Sequence, residues 1–468
     1  MTVDVAIVGA GISGLAAAEA LKRRGHRVLV LERQAGVGGN AVSERLGGFL
    51  MEHGPSTVNA YAVVAREISG ELGLEAERCD LGSGVRRRYL VRDGGLAGIA
   101  AHPFGFLLSN YLSLGARLRL LTEWRVSSDR GSDRPEETVA AFCRRRFGSE
   151  FAERIIDPLV GGLYGGRAEE LAVEAVFPRL TALERRHGSI TAGIVRGRLK
   201  NGRMPGSRLF SWRRGIATLP GALQGRLAPE IRTGVAVKRL RAVPGGFLLE
   251  ADGAGSIRAR AVLIATQPHV AAQLLDGLDG EAAVAAAGIE APPLAVVFLG
   301  YPRARVAHPL DGLGFLGAEA EGRTLTGAQF CSTMFPGRAP DGHVAVAAYF
   351  GGARRPATGQ ASAAELIDLA RAEFRDLIGA EGPPTVARVR HWPLGLPQYR
   401  IGHLDRIARI KGACDRLPGL FLTGNYFAGP SVADCLGQAQ MVAAVAAGYL
   451  EDDAATVQSI TADRATRS

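Results

Sequence analysis

The chain has 468 residues, 47% hydrophobic and 22% charged, which is too long for one ordinary domain and gives it room for a large core and a buried ligand. The net charge of +10 is concentrated: residues 86–214 hold 24 Lys or Arg against 13 Asp or Glu, and the remainder is close to neutral. Five scattered cysteines with no CxxC pair argue against a zinc or disulfide framework and fit a reducing cytosol, and no uninterrupted apolar run of about 18 residues is present to span a bilayer.

The opening stretch, VDVAIVGAGISGLAAAEALKRRGHRVLVLER, predicts a buried strand over residues 3–8, a turn through Gly9, Gly11 and Gly14, and a helix with Leu15, Ala18 and Leu21 on one side. A second strand over 28–31 ends at Glu32. Gly9 permits the tight turn, Gly11 lets backbone approach a pyrophosphate, and Gly14 lets the helix pack on the sheet. The helix begins at Ile12 and Ser13, so its first amides face the phosphates. Glu32, 18 residues after Gly14, is placed to accept hydrogen bonds from a ribose, with Arg33 beside it. The small apolar run 12–20 is preceded by Asp4 and by no basic segment, so it is not expected to direct export. A GxGxxG between strand and helix, followed by an acid at this distance, predicts dinucleotide binding.

The chain continues RQAGVGGNAVSERLGGFLMEHGPST. Gly36, Gly38, Gly39 and Asn40 extend the fingerprint into a second phosphate-facing loop, and Gly54, Pro55 and Ser56 follow. This extension resembles that of FAD-binding oxidoreductases of the amine-oxidase superfamily. The basic region starts with RRRYLVRDGGL, carrying Arg86, Arg87 and Arg88. Next comes HPFGFLLSNYLSLGARLRLL (102–121), apolar and aromatic with Arg117 and Arg119 at its end. Its composition suits an interfacial membrane helix and equally a buried helix of a substrate domain. A basic run without a nucleic-acid reading motif does not predict nucleic-acid binding.

RTGVAVKRLRAVPGGFLLEADGAGSIRARAVLIATQP reads as a hairpin followed by a buried strand over 262–265, ending at Thr266. In the amine-oxidase superfamily, the position of Val235 makes a backbone contact to the adenine half. LAVVFLGY and HVAVAAYF read as strands of a second sheet. GLFLTGNYFAGPSVADCLGQAQ is a short strand, a Gly-Asn-Pro loop and a small-residue helix start. By the same resemblance it returns to the nucleotide-binding sheet, with Gly424 and Asn425 beside the pyrophosphate and ribityl chain and Gly429, Ser431 and Val432 near the isoalloxazine.

Six ordered segments, GGFLMEHGPST, RRFGSEFAERIIDPLVGGLYGGRAEELAVEAVFPRL, ERRHGSI, SWRRGIATLPGAL, LPQYRIGHLDRI and GLFLTGNYFAGPSVADC, resemble the protoporphyrinogen oxidase family over nearly the whole chain. The resemblance implies an α/β fold: a Rossmann-like FAD-binding domain of the amine-oxidase type, a mixed-sheet substrate domain and a helical membrane-associating insertion. The expected FAD-binding parts are 1–85, 206–290 and 386–450, with a helical basic insertion at 86–205, the substrate sheet at 291–385 and a disordered tail at 451–468. The implied activity is FAD-dependent oxidation of a tetrapyrrole porphyrinogen with O2 as acceptor, and the chain has no second fingerprint for a nicotinamide dinucleotide. Protoporphyrinogen IX comes ahead of coproporphyrinogen III, whose four propionates would demand more cations.

An arginine in the family's R-aromatic-aliphatic pattern steers one propionate, and here that pattern falls on Arg88. The implied location is cytoplasmic, peripheral to the inner face of the cell membrane; a homodimer enters by analogy alone. His391 and His403 fall in matching segments, either as bases or as residues that satisfy backbone groups, and Cys435 reads as a small core residue. Two departures stand out: Gly429-Pro430-Ser431-Val432 replaces the family's Val-Ala-Leu stretch, and AGIAAHPFGF replaces its proline pattern. They leave open a different porphyrinogen or another polycyclic substrate; the rival functions are an FAD-dependent desaturase or dehydroxylase acting on an isoprenoid and a non-catalytic flavoprotein that carries tetrapyrrole or binds membrane.

Overall fold

The computed structural model describes residues 2–100, 111–126, 135–201 and 209–465. Its first sheet brings distant parts of the chain together. Thr2–Val8 lies between Val28–Glu32 and Gly255–Ile264, all parallel, with Ile231–Thr233 outside Val28–Glu32. The other edge of Gly255–Ile264 is shared: its first half pairs with the hairpin strand Gly246–Ala251 and its last three residues with Leu420–Leu422. The near-continuous apolar runs of these strands suit a parallel sheet covered on both faces. Leu15, Ala18 and Leu21 of the helix Ile12–Arg23 are buried with Ala439, Ala443 and Leu450 of the last helix.

The second sheet has the strand order Val386–Trp392, Leu294–Pro302, His343–Gly351, Leu325–Gln329, Gly312–Leu316, Arg87–Arg92, Gly95–Ala100. Alternate residues separate its faces. Val297, Leu299, Val346 and Ala348 pack under the helix Ala363–Ile378. Val296, Phe298, Ala345 and Ala347 pack on Phe49 and Met51 of the hairpin that follows the glycine loops. The second face therefore lies over the nucleotide-binding layer.

Three expectations change. Residues 87–100 form a strand hairpin of this sheet instead of the start of a helical insertion, because Tyr89 and Val91 alternate with Leu90 and Arg92 at a period of two. Val386–Trp392 also joins this sheet, pairing with Leu294–Pro302, so neither expected boundary, 86 nor 386, is a layer boundary. The tail beyond Asp452, expected to be disordered, continues the last helix, which starts at Val432, as far as Ala465; its Ala-rich sequence favours helix.

The helical region runs from Val139–Phe147 to Ile190–Asn201 around Phe142, Val160, Leu171 and Val173. It is locked by Arg146, fully buried between Glu123 at 3.2 Å and Glu184. Of the apolar stretch 102–121, residues 102–110 lie outside the described residues. Tyr111 and Leu112 are buried, and Leu114–Leu121 is a helix capped by Ser113. That helix carries Leu114, Leu118 and Leu121 on its outer face, 72%, 63% and 57% exposed, so the buried alternative does not hold for it.

Candidate functional site: a cradle of three glycine turns

Three chain segments converge at the C-terminal ends of the parallel strands, where open α/β sheets bind ligands. A Cβ on Gly9, which has φ +104, would lie 2.7 Å from the Ala265 carbonyl and 3.4 Å from the Thr266 methyl; one on Gly424 would lie 3.5 Å from the Thr266 carbonyl. Thr266 is thus the meeting point of the first and last turns.

Gly14 packs so closely that any Cβ would collide with the Gly9 carbonyl. Gly11 is different: a Cβ there meets nothing within 4 Å, and Gly11 offers no side-chain cap to the helix it precedes. The first-turn amides after it, Ile12, Ser13 and Gly14, have no acceptor within the helix. An open glycine before uncapped amides fits a pyrophosphate.

The second loop stacks on the first. Gly38 N donates to Ala10 O at 2.8 Å, and Gly38 and Gly39 have φ of +106 and +60. A Cβ on Gly39 would sit 3.2 Å from Gly11 Cα, and one on Gly54 would collide with the Asn40 carbonyl. Beyond Pro55, the Ser56 hydroxyl lies 2.9 Å from Gln329 Oε1 and ties this segment to the second sheet. Trp392 Nε1 reinforces the tie by donating to His53 O at 2.6 Å.

Glu32 uses its carboxylate locally, accepting from Ala10 N and Gln34 N, both at 2.8 Å. It stiffens the phosphate turn, and a ribose would use its remaining lone pairs. Arg33 beside it is exposed. Val235 donates its N–H to Glu32 O at 2.8 Å, so only its carbonyl can serve an adenine.

At the last turn, Tyr399 OH donates to Asn425 O and His403 Nε2 donates to Tyr426 O at 2.9 Å. These contacts give His403 the backbone-satisfying role, and His391 likewise donates to Ala361 O at 2.8 Å. The Gly-Pro-Ser-Val departure is a helix cap. Ser431 Oγ accepts from Asp434 N at 3.1 Å and donates to Asp434 Oδ2 at 2.5 Å, and a Cβ on Gly429 would collide with that carboxylate. Val432 is buried in the core. Burial pushes the Cys435 thiol up to about 11, which keeps it protonated.

Arg88 is exposed on the strand Arg87–Arg92, opposite Ile99 and on the face of Leu90. Among the described residues nothing pairs with its guanidinium, whereas Arg87 lies 3.5 Å from Asp311. The sequence reading missed the parts played by Tyr399 and by the buried pair Arg338–Glu52, at 3.1 Å. Tyr399 was visible only as a letter in LPQYRIGHLDRI, and the pair joins residues 286 positions apart.

Burial pushes His403 from 6.5 down to about 4. As pH falls through 6.5 the unfolded chain takes this proton first, so the stability His403 contributes is complete above 6.5 and lost toward 4. Glu52, pushed by burial up to about 6 despite Arg338, has the opposite slope: its contribution is present below about 4.5 and lost as pH rises through 6. Chemical denaturation from pH 7 to 4 should show wild type losing on the order of 3 kcal/mol relative to His403→Phe. Glu52→Gln should remove the opposing slope.

The family described as flavin containing amine oxidoreductase matches residues 12–447. The chain is 31% identical over 482 residues to the chloroplastic protoporphyrinogen oxidase 1 of Spinacia oleracea, covering 96% of this chain and 84% of that one. It is 26% identical over 470 residues to the coproporphyrinogen III oxidase of Bacillus subtilis (strain 168), covering 95% and 98%. Among solved structures, a protein from Exiguobacterium sp. 255-15 superposes with a TM-score of 0.80 at 24% identity, covering 95% and 98%. Cyclohexylamine oxidase from Brevibacterium oxydans IH-35A superposes at 0.72 and 20%, covering 96% and 99%. With its glycine cradle fitted to FAD, the chain belongs to the flavin-containing amine oxidoreductases and is an FAD-dependent oxidoreductase.

Proposed function

We propose that this oxidoreductase converts protoporphyrinogen IX to protoporphyrin IX, removing six electrons and six protons and passing them to three O2 to give three H2O2. The observation that carries the reading is the whole-chain similarity to porphyrinogen oxidases, joined to a cradle roofed by an apolar sheet face with an exposed arginine, unpaired among the described residues, toward one edge. FAD, when bound, supplies the two-electron acceptor. The chain's own residues hold it, exclude water and orient an apolar macrocycle that becomes flat as it is oxidised. Arg88, presenting a planar fork of donors, would grip one propionate carboxylate.

The deciding experiment adds FAD-loaded protein to protoporphyrinogen IX and, separately, to coproporphyrinogen III, following porphyrin fluorescence and O2 uptake. Catalysed growth with three O2 consumed per porphyrin supports the reading, and the faster substrate identifies the porphyrinogen. No growth with either, from protein with a normal flavin spectrum, rejects it in favour of an isoprenoid substrate. Arg88→Ala should raise KM for the active porphyrinogen about 10-fold or more, the loss of a charged hydrogen bond, with the flavin spectrum unchanged.

The location fits peripheral contact with the anionic inner face of the cell membrane. Leu114, Leu118, Leu121 and Trp124 are exposed, with Arg117, Arg119 and Arg125 among them, and apolar and basic residues together suit an interfacial helix. No helix among the described residues is long and apolar enough to cross a membrane. Leu118→Glu should lower co-sedimentation with anionic vesicles several-fold and leave activity on detergent-dispersed substrate intact.

A further inference from the structure

The segment that enters the helix His403–Arg416 touches two parts of the molecule at once. On one side it is fastened to the helical region. Ala172 N donates to Tyr399 O at 2.8 Å, Gln398 Nε2 donates to Tyr164 O at 2.9 Å, Gly402 N donates to the Glu136 carboxylate, and Arg400 pairs with Glu170 at 2.9 Å. On the other side it holds the last glycine turn, through Tyr399 OH on the Asn425 carbonyl and His403 Nε2–H on the Tyr426 carbonyl. The Tyr399 and His403 rings stack at 4.3 Å and 14°, and both are buried, 1% and 2% exposed. A carbonyl only accepts, so Nε2 carries the proton.

Two successive carbonyls of the turn are thereby pulled to the same strap. The N–H of a trans peptide points away from its C=O, so capture of the Asn425 carbonyl directs the Tyr426 N–H away from the strap. Gly424, one residue earlier, closes the turn by accepting from Phe427 N at 3.3 Å and packs against the Tyr426 ring. The conformation of residues 424–427 therefore depends on two side chains that lie outside the turn.

We infer that Tyr399 and His403 are positioning residues that hold the last glycine turn in its FAD-binding shape, and that the strap they sit on ties this shape to the helical region. This rests on the FAD cradle and not on the porphyrinogen reading, so either can fail without the other. A purely structural role would lower the stability of apo and FAD-loaded protein alike; a positioning role appears as a change in the cofactor's own affinity and environment.

The test uses the full chain, stripped of FAD and titrated with FAD by flavin fluorescence. Visible circular dichroism of the bound flavin and melting of the apo protein are recorded alongside. Tyr399→Phe removes one hydroxyl and keeps the stacked ring; it should weaken FAD about 10-fold, alter the flavin dichroism and leave the apo melting temperature nearly unchanged. His403→Phe should act in the same direction, and His403→Gln, which restores an N–H donor, should recover much of the loss. Arg400→Gln, which loosens the strap at its far end, should weaken FAD by about 2-fold to 3-fold. Unchanged FAD affinity and dichroism in Tyr399→Phe would overturn the inference, whatever the melting temperatures. Should His403→Phe fail to fold, the Tyr399→Phe and Arg400→Gln titrations decide the matter.

Discussion

Gly11→Ala should fold like the wild-type apo protein and lose FAD, whereas Gly14→Ala should fail at the level of the fold. The two glycines stand three positions apart in one fingerprint, but their surroundings differ. A Cβ on Gly11 meets no protein atom within 4 Å, and its backbone, with φ −70 and ψ 176, suits any L-residue. The added methyl therefore enters only the space a pyrophosphate would use. Pushing the phosphate off the uncapped first-turn amides forfeits charge-assisted hydrogen bonds, on the order of 100-fold in FAD affinity. On Gly14 the same methyl collides with the Gly9 carbonyl and lies 3.2 Å from the Ala265 side chain. Because both partners belong to strand ends of the central sheet, relief requires moving the helix, at about 3 kcal/mol or more. Apo-protein melting separates the two variants, and FAD titration of Gly11→Ala checks the first claim.

Arg146→Ala should be the most destabilising single change in the helical region, at about 3–5 kcal/mol. Arg146 and Glu123 are both completely buried, and Arg146 also donates to Val126 O at 3.2 Å and Gly188 O at 3.0 Å. Burial works against the Glu123 charge, but the Ser189 hydroxyl and the Thr191 and Ile190 amides outweigh it and hold the carboxyl below its usual range. Removing the guanidinium strands the Glu123 carboxylate without its cation, whereas Glu184 keeps Arg145 at 2.7 Å. Urea denaturation of Arg146→Ala, and of Arg146→Ala with Glu123→Gln, measures the effect. The second variant should recover part of the loss because it removes one stranded charge.

The legible parts of the sequence were those governed by local rules. Strand, turn and helix over residues 2–23 follow from an apolar run, three glycines at fixed spacing and small residues that allow close packing. The hairpin before Gly255–Ile264 was legible because PGG and DGAG punctuate alternating strands. Less legible was the region after Val85. Its high arginine content suggested a solvated helical insertion, yet Arg87–Arg92 is a strand, paired in parallel with Gly312–Leu316 more than 200 residues away. No local propensity encodes such a partner. The loop at Gly429–Val432 shows a related limit: as letters it reads as a changed pocket edge, and the cap that shapes it, in which Ser431 and Asp434 satisfy each other, is visible only in three dimensions.

The return of the C-terminal turn to the N-terminal one was implied by the family resemblance; what the sequence determined by itself was the nucleotide-binding strand, its glycine turns and the helix that follows. Those features repeat short-range constraints of backbone sterics, which any chain with the same spacing must obey. Only the tertiary structure decided how the cradle is held. It set Thr266 between the first and last turns, placed Tyr399 and His403 on the carbonyls of residues 425 and 426, and left Arg88 without a partner among the described residues while Arg87 met Asp311. These are single contacts between remote segments, each worth little alone, and their geometry exists only after both sheets have packed and the helical region has been strapped against them.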